Sequence, residues 1–175
     1  EAVPYHWESL MPVFGDSETD ELLTEAEVME RLVLSLENPS SIRASVASAR
    51  ENARVTRDLI PKDAWVALND LHGLLERQSF SGFDRSNRVR LLKQVIAACR
   101  LWHGCLMANQ ARDLSWLFLR LGDRLEHADM VSRLVDPRVT QMVPGQSAHW
   151  ASYEAIGWQN LLSALGGVEL YRRSA

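Results

Sequence analysis

The stretch between Asn87 and Asp136 most constrains the fold, because it contains no proline and its apolar residues recur at the spacing of an α-helix. These apolar residues are Val89, Leu92, Ile96 and Cys99 in the first half and Leu117, Leu121, Leu125 and Ala128 in the second. The stretch is several times longer than the mean helix of about 11–12 residues. We therefore place a break near Asn109 and Gln110 and predict two antiparallel neighbours, at about 86–108 and 112–136.

Capping signals and prolines predict the two helices nearest the start of the chain. Thr24 and Glu27 have the spacing of a capping box, which predicts a helix from about residue 25 to 36. Asn38 followed by Pro39 has the pattern of an N-cap and a first helical position. This pattern predicts a second helix that ends before Pro61.

The remaining segments also show helical signals. A third helix is expected over about 62–77, with the buried side chains Trp65, Leu68, Leu71, His72 and Leu75. Residues 78–87 form a predicted polar turn and residues 137–147 a predicted loop. A last helix is expected to begin between Ala148 and Glu154 and to stop near Gly166 and Gly167. No segment has the alternation of a strand, so we predict an all-α bundle of five or six mostly antiparallel helices in a single domain over residues 1–175.

Composition excludes several classes of protein. The 175-residue chain has a formal charge of -4 and a sequence pI near 5.7, whereas nucleic-acid binders normally carry a basic footprint. No apolar run has the length of a membrane span, and the N-terminus lacks the secretory pattern. Two cysteines, Cys99 and Cys105, are too few for a disulfide framework and are expected to be reduced and buried. We therefore predict a cytoplasmic protein.

The chain also has features of a piece of a longer, duplicated helical protein. It opens on Glu1 rather than on Met, and the pattern Trp-x-x-Leu at Trp7 returns at Trp158. If this recurrence reflects an internal sequence repeat, the chain spans about one period of the duplication. The chain is therefore expected to be an internal fragment.

Four arginines lie on one face of the second predicted helix: Arg43, Arg50, Arg54 and Arg57. At 100° per residue they lie within about 60° of one another, beside a stripe of small apolar residues. Glu51 and Asp58 can neutralise Arg54, but the other three arginines have no acid three or four residues away. Their partners must lie elsewhere. The face is either a structural layer of ion pairs or an anion site for carboxylate or phosphate.

Glu126 is the matching acidic candidate on the fifth predicted helix. It shares a mostly apolar face, so its side chain is expected to be at least half buried, and no cation lies one turn away. A buried carboxylate is costly unless it is paired. We expect Glu126 to meet Arg50, or otherwise Arg54, and a catalytic role as general acid or base is the alternative. Asp129 and Arg133, one turn apart, are expected to pair at the surface or at the core boundary.

No metal or cofactor site is predicted. Asp123, Glu126 and His127 are close in sequence, but their directions on a helix disagree. Cys99 and His103 lie on the predicted apolar stripe and are interpreted as a buried thiol and a core histidine. The chain has no glycine-rich phosphate loop, no Gly-x-Ser-x-Gly elbow and no nucleophile with a placed base.

Two segments resemble the alpha-E domain family, which consists of predicted all-helical bacterial proteins with a Glu-Arg motif. They are NPSSIRASVASARENARVTRDLIPKDAWVALN, from Asn38 to Asn69, and FLRLGDRLEHADMVSRLVD, from Phe118 to Asp136. The second segment matches the family pattern at Gly122, Glu126, Ala128 and Asp129, whereas Asp123 and His127 replace arginines that are usual there. The resemblance implies partners such as ATP-grasp-like, transglutaminase-like and amidohydrolase-like proteins, and a role in making or modifying peptides.

Three functions follow as hypotheses. The first is a helper or interaction domain in a bacterial peptide-ligating or peptide-modifying system that works with an ATP-grasp-like enzyme. The second is a self-contained enzyme that binds a carboxylate or acyl-phosphate substrate through Arg50, Arg54 and Arg57, with Glu126 as general acid or base. The third is a structural helical module that self-associates into a homo-oligomer.

Overall fold

The computed structural model describes Trp7 and residues 11–14, 23–79, 84–135 and 150–174. These residues contain seven α-helices and no strand, which confirms the all-α prediction. The helices are α1 (Glu25–Met29), α2 (Ile42–Val55), α3 (Lys62–Glu76), α4 (Arg85–Asn109), α5 (Leu114–Val135), α6 (Trp150–Ala164) and α7 (Val168–Ser174). Two short 3-10 helices, Pro12–Phe14 and Arg57–Leu59, and one π-helical turn, Glu30–Leu34, complete the described helical structure.

The capping box predicted at Thr24 is present. The Thr24 hydroxyl accepts a hydrogen bond from the Glu27 backbone N–H, and the Glu27 carboxylate accepts one from the Thr24 backbone N–H at 2.8 Å. These bonds satisfy amides that the first turn of α1 leaves without helical partners. The helix continues from α1 into the π-helical turn and ends before Ser35.

The start of α2 differs from the prediction, because Ser41 rather than Asn38 is its N-cap. The Ser41 hydroxyl accepts from the Ala44 backbone N–H at 3.1 Å. The Asn38 side chain instead accepts from the Ser40 backbone N–H at 2.9 Å, which closes a local turn. Asn38 and Pro39 therefore belong to the turn before the helix, because an Asn side chain can satisfy a turn as readily as a helix end.

The chain divides into two compact units, Glu1–Arg120 and Leu121–Ala175. In the first unit α3 packs against both α2 and α4 and so occupies the middle of a three-helix layer. The core of this layer consists of Val33, Leu34, Val46, Ala53, Leu68, Leu71, Leu75, Leu91 and Val95. A second, smaller cluster joins Met11, Leu23 and Val28. One domain over residues 1–175 stays a prediction.

The face of α4 that enters the core is not the one that the sequence pattern predicts. Val89 and Ile96 are 44% and 49% exposed, whereas Leu91 and Val95 are buried. Cys99 and His103 are exposed as well, so the interpretation as a buried thiol and a core histidine is wrong for both residues. α4 carries two apolar stripes, and its packing against α3 decides which of them is buried.

The second unit contains the larger part of α5 together with α6 and α7. Gly166 ends α6 with a φ of 68°, and the Gly167 N–H donates to the Leu162 carbonyl at 2.8 Å. This arrangement is a Schellman motif, which needs a residue in the left-handed conformation. Glycine adopts that conformation readily, and the predicted end of the helix near Gly166 and Gly167 is confirmed. The short helix α7 follows directly and was not predicted. The predicted loop at 137–147 lies outside the described residues, and no described helix is long and apolar enough to cross a membrane.

Candidate functional site

The packing of α2 against α3 brings the arginine face of α2 beside the polar edge of α3. Val46 and Ala53 of α2 are buried, and Ala49 lies against the same core. Small side chains allow a close approach of the two helices, so the long arginine side chains at the boundary reach residues of α3. The four arginines then divide into two with carboxylate partners and two with neutral partners.

Arg43 and Arg54 each form an ion pair with two hydrogen bonds. Arg43 donates from Nε and Nη2 to the two carboxylate oxygens of Glu76 on α3, both at 2.9 Å. Arg54 donates from Nε and Nη2 to Glu51 at 2.8 and 2.6 Å. The partner of Arg54 is one of the acids expected from the sequence. Glu76 lies 33 residues from Arg43, and no local spacing rule points to it.

Arg50 and Arg57 both lie close to the indole ring of Trp65 in the first half of α3. Their guanidinium carbons lie 5.7 and 5.4 Å from the ring centroid, within the range of cation–π attraction. Arg50 Nε donates to Asn69 Oδ1 at 2.7 Å, and Arg57 Nη1 donates to the Ile60 carbonyl at 3.0 Å. All of these partners are neutral. Within the described part of the chain, neither guanidinium forms an ion pair.

This Arg50–Arg57–Trp65 group, which we call the Trp65 site, keeps donors that can bind an oxyanion. Toward the described residues Arg50 donates only from Nε, so its terminal Nη1 and Nη2 groups can form a fork. Arg57 donates to them only from Nη1, so Nε and Nη2 can form another. A guanidinium fork matches the two oxygens of a carboxylate or a phosphate. Asn69 fixes the orientation of Arg50, because its own Nδ2 donates to the Trp65 carbonyl at 2.8 Å.

The predicted residues on α5 lie among the exposed residues of the helix. Glu126 is one of them, and the expectation that its side chain is at least half buried stays a prediction. Arg133 Nη2 lies 2.9 Å from Asp129 Oδ2, in an exposed pair one turn apart. Glu126 and Arg50 belong to different units, and their pairing stays a prediction.

A surface cleft of about 420 Å³ lies elsewhere, between the first helical segment and the turn that follows α3. It is lined by Glu27, Glu30, Arg31, Leu34, Ser35, Arg43, Gln78 and Ser79. This lining includes neither arginine of the Trp65 site. Among the side chains that the structure describes, no group of three His, Cys, Asp or Glu residues gathers in a way that could hold a metal ion.

The ion pair between Arg43 and Glu76 makes stability depend on pH. The hydrogen bond from Arg43, aided by its positive charge and opposed in part by desolvation, lowers the pKa of Glu76 below its ordinary value. A lowered folded-state pKa contributes stability that is present above the unfolded pKa and is lost as pH falls through the folded pKa. Because the pair is partly exposed, we expect a contribution of at most about 1 kcal/mol. Glu76→Gln should lower the free energy of urea unfolding by this amount at pH 7.

The same variant should show little difference from the wild type at an acid pH below the lowered pKa of Glu76, where the carboxylate is protonated. Glu37→Gln is a matched control, because Glu37 is exposed and makes no side-chain ion pair among the described residues. An equal loss of stability in Glu76→Gln at both pH values would contradict the assignment.

Comparison with known proteins identifies the family. The family model described as Alpha-E, a predicted α-helical domain with a conserved ER motif, matches residues 3–175. No curated protein and no solved structure matches the chain. The match covers nearly the whole sequence and agrees with the helices of the structure. The chain therefore belongs to the Alpha-E family.

Proposed function

We propose that this chain is a helper or interaction domain of a bacterial peptide-ligating or peptide-modifying system, and that it works with an ATP-grasp-like enzyme. The observation that carries the proposal is the Trp65 site, in which two arginines lie close to one tryptophan and have only neutral hydrogen-bond partners among the described residues. In this proposal the partner enzyme supplies the missing carboxylates. The domain works in the cytoplasm, where the free thiols of Cys99 and Cys105 remain reduced.

The chemistry of the Trp65 site supports docking of an acidic protein surface. Arginine and tryptophan are the residues most enriched at the energetic centres of protein interfaces. Arg50, Arg57 and Trp65 are each partly buried, so their rotamers are already restricted before a partner arrives. This restriction reduces the entropy that binding must overcome. A carboxylate bound by either guanidinium fork would also neutralise the charge of that arginine.

Substitutions in α2 test the proposal. The double variant Arg50→Lys/Arg57→Lys keeps both charges but removes both forks, and we expect it to weaken the complex with the ATP-grasp-like partner at least about tenfold. Arg54→Lys is the matched control, because Arg54 lies on the same helix and is already paired with Glu51. We expect the control to change the Kd by less than about threefold. Isothermal titration calorimetry of the purified proteins measures both values.

Equal weakening in the control and in the double variant would contradict a role for the Trp65 site. Absence of a complex at about 100 µM of each protein would contradict the proposed partnership. Circular dichroism of each variant shows whether α2 remains folded. The affinity should also fall as the salt concentration rises, since the contacts are between charges near the surface.

The forks of Arg50 and Arg57 also favour a second candidate, a self-contained enzyme for a small carboxylate or acyl-phosphate substrate. In this alternative Arg54 assists the two arginines and Glu126 acts as general acid or base. The exposure of Glu126 favours the helper domain, because enzymes usually exclude water from such a group. Titration with succinate and with inorganic phosphate separates the candidates. Saturable binding of either anion that is lost in Arg50→Lys/Arg57→Lys would favour the enzyme.

A further inference from the structure

Helix α5 has one buried side chain, Trp116 in its first turn, and most of its other described side chains are exposed. Trp116 is only 8% exposed, its backbone N–H is bonded to Asp113 Oδ1 at 3.1 Å, and the guanidinium of Arg112 lies 4.6 Å from its ring centroid. Trp116 is therefore buried by contacts that include its own neighbours in the chain. The opposite face carries apolar side chains that remain in contact with solvent.

These exposed side chains recur with the seven-residue spacing of a heptad repeat. The positions alternate in steps of four and three along the helix: Leu114, Phe118, Leu121, Leu125, Ala128, Ser132 and Val135. The large members are Leu114, Phe118, Leu121, Leu125 and Val135, which are 67%, 65%, 53%, 64% and 47% exposed. We call this row the α5 seam. In heptad notation it occupies positions a and d, and Trp116 lies at position f, directly opposite.

An exposed row of this kind needs a partner. Monomeric proteins rarely expose a contiguous apolar patch of more than a few hundred Å², and larger patches usually mark interaction sites. The alternation of four and three is the pattern by which helices pair along a narrow seam with knobs-into-holes packing. The α5 seam can therefore pair with another helix whose apolar residues have the same heptad spacing. A second copy of α5 is such a helix.

The charges beside the α5 seam favour a second copy in parallel orientation. Arg124 occupies position g and Asp129 the following position e, five residues later. In a parallel pair, position g of one helix faces the next position e of the other, so Arg124 and Asp129 of opposite copies would attract each other on both sides of the seam. Their present contacts within the chain are exposed pairs with Asp123 at 3.9 Å and Arg133 at 2.9 Å, which are weak enough to rearrange.

An antiparallel pair lacks this complementarity. Position g would then face position g of the other copy, where the residues are Leu117, Arg124 and Val131. Position e would face position e, where they are Ser115, Gly122 and Asp129. Neither set offers an opposite charge to Arg124 or to Asp129. We propose that two copies of this chain associate through the α5 seam as a parallel, two-fold symmetric helix pair.

The proposal concerns a surface other than the Trp65 site and does not depend on the proposed function. A two-fold axis along the seam uses the same patch on both copies, as closed dimers do. Phe118, Leu121 and Leu125 would form the central layers. The small Ala128 and the polar Ser132 would make the C-terminal part of the seam weaker.

The first test is the mass of the full chain in solution, measured by size-exclusion chromatography with light scattering. We expect the wild type to have the mass of two chains and the double variant Leu121→Glu/Leu125→Glu to have the mass of one, because four carboxylates would meet in the seam. Leu101→Glu is the matched control, since Leu101 is 61% exposed on α4 and lies outside the seam. It should remain dimeric. A monomeric wild type at about 100 µM, or a dimer that survives Leu121→Glu/Leu125→Glu, would overturn the proposal.

Two further measurements test the orientation. Arg124→Glu and Asp129→Arg should each raise the dimer Kd at least about tenfold, and the double charge swap should restore it. In a Cys99→Ser/Cys105→Ser background, Ala128→Cys should form an intermolecular disulfide on mild oxidation, since equivalent d positions face each other only in a parallel, in-register pair. A dimer without rescue by the charge swap and without this disulfide would contradict the parallel arrangement. Circular dichroism confirms that each variant keeps its helical content.

Discussion

Leu75→Ala is expected to lower the free energy of unfolding by about 2–5 kcal/mol. Leu75 is 1% exposed and lies in the core where α3 packs between α2 and α4. Removal of its isobutyl group loses the transfer free energy of the buried carbons and leaves a cavity that the three helices can fill only in part. Urea denaturation followed by circular dichroism gives the loss, with an unchanged slope of free energy against urea concentration.

The control for Leu75→Ala is Leu101→Ala. This substitution is chemically identical and lies within a helix, but Leu101 is 61% exposed. We expect a change within about 0.5 kcal/mol. If the two variants lost similar stability, the assignment of α3 as the central helix of the layer would be wrong.

Ser41→Ala is expected to cost about 1–3 kcal/mol, which is large for the removal of one oxygen atom. Ser41 is fully buried, and its hydroxyl has two roles. It accepts from the Ala44 N–H at the start of α2 and donates to the Ser35 carbonyl, which ends the preceding helical segment. Alanine would leave both of these partly buried backbone groups without their partners.

Ser48→Ala is the appropriate comparison, because Ser48 lies in the exposed middle of the same helix. Alanine has a higher helix propensity than serine, so this variant should be neutral or slightly more stable. Thermal unfolding of both variants, at the same protein concentration as the wild type, measures the difference. A Ser41→Ala protein as stable as Ser48→Ala would show that the α2 cap contributes little.

The positions of the helices were largely predictable, since local chemistry decides where a helix can begin and end. The capping box at Thr24 and the glycine stop at Gly166 both depend on residues within one turn of each other. The start of α2 was missed because Asn38 and Ser41 are both good caps, and both contact Ser35: the Asn38 N–H donates to the Ser35 hydroxyl, and the Ser41 hydroxyl donates to the Ser35 carbonyl. Sequence rules that consider only neighbouring residues cannot choose between two N-cap residues that are equally suitable.

The buried face of α4 and the partners of the arginines were not predictable in the same way. The Val89–Ile96 stripe and the Leu91–Val95 stripe are both apolar, and only the position of α3 determines that the second is buried. Glu76 and Trp65 likewise meet the arginines of α2 because two helices pack side by side. Such contacts join residues that no periodicity connects.

The sequence by itself determined that this protein is helical, where most of its helices lie, and that α2 carries more arginines than its local acids can neutralise. These properties follow from interactions within a few residues, which the order of the amino acids specifies directly. The tertiary structure decided that Arg43 is paired with Glu76, that Arg50 and Arg57 lie close to Trp65, and that the α5 seam is exposed. Those outcomes depend on which helix faces meet, and that choice is made by the packing of the whole chain.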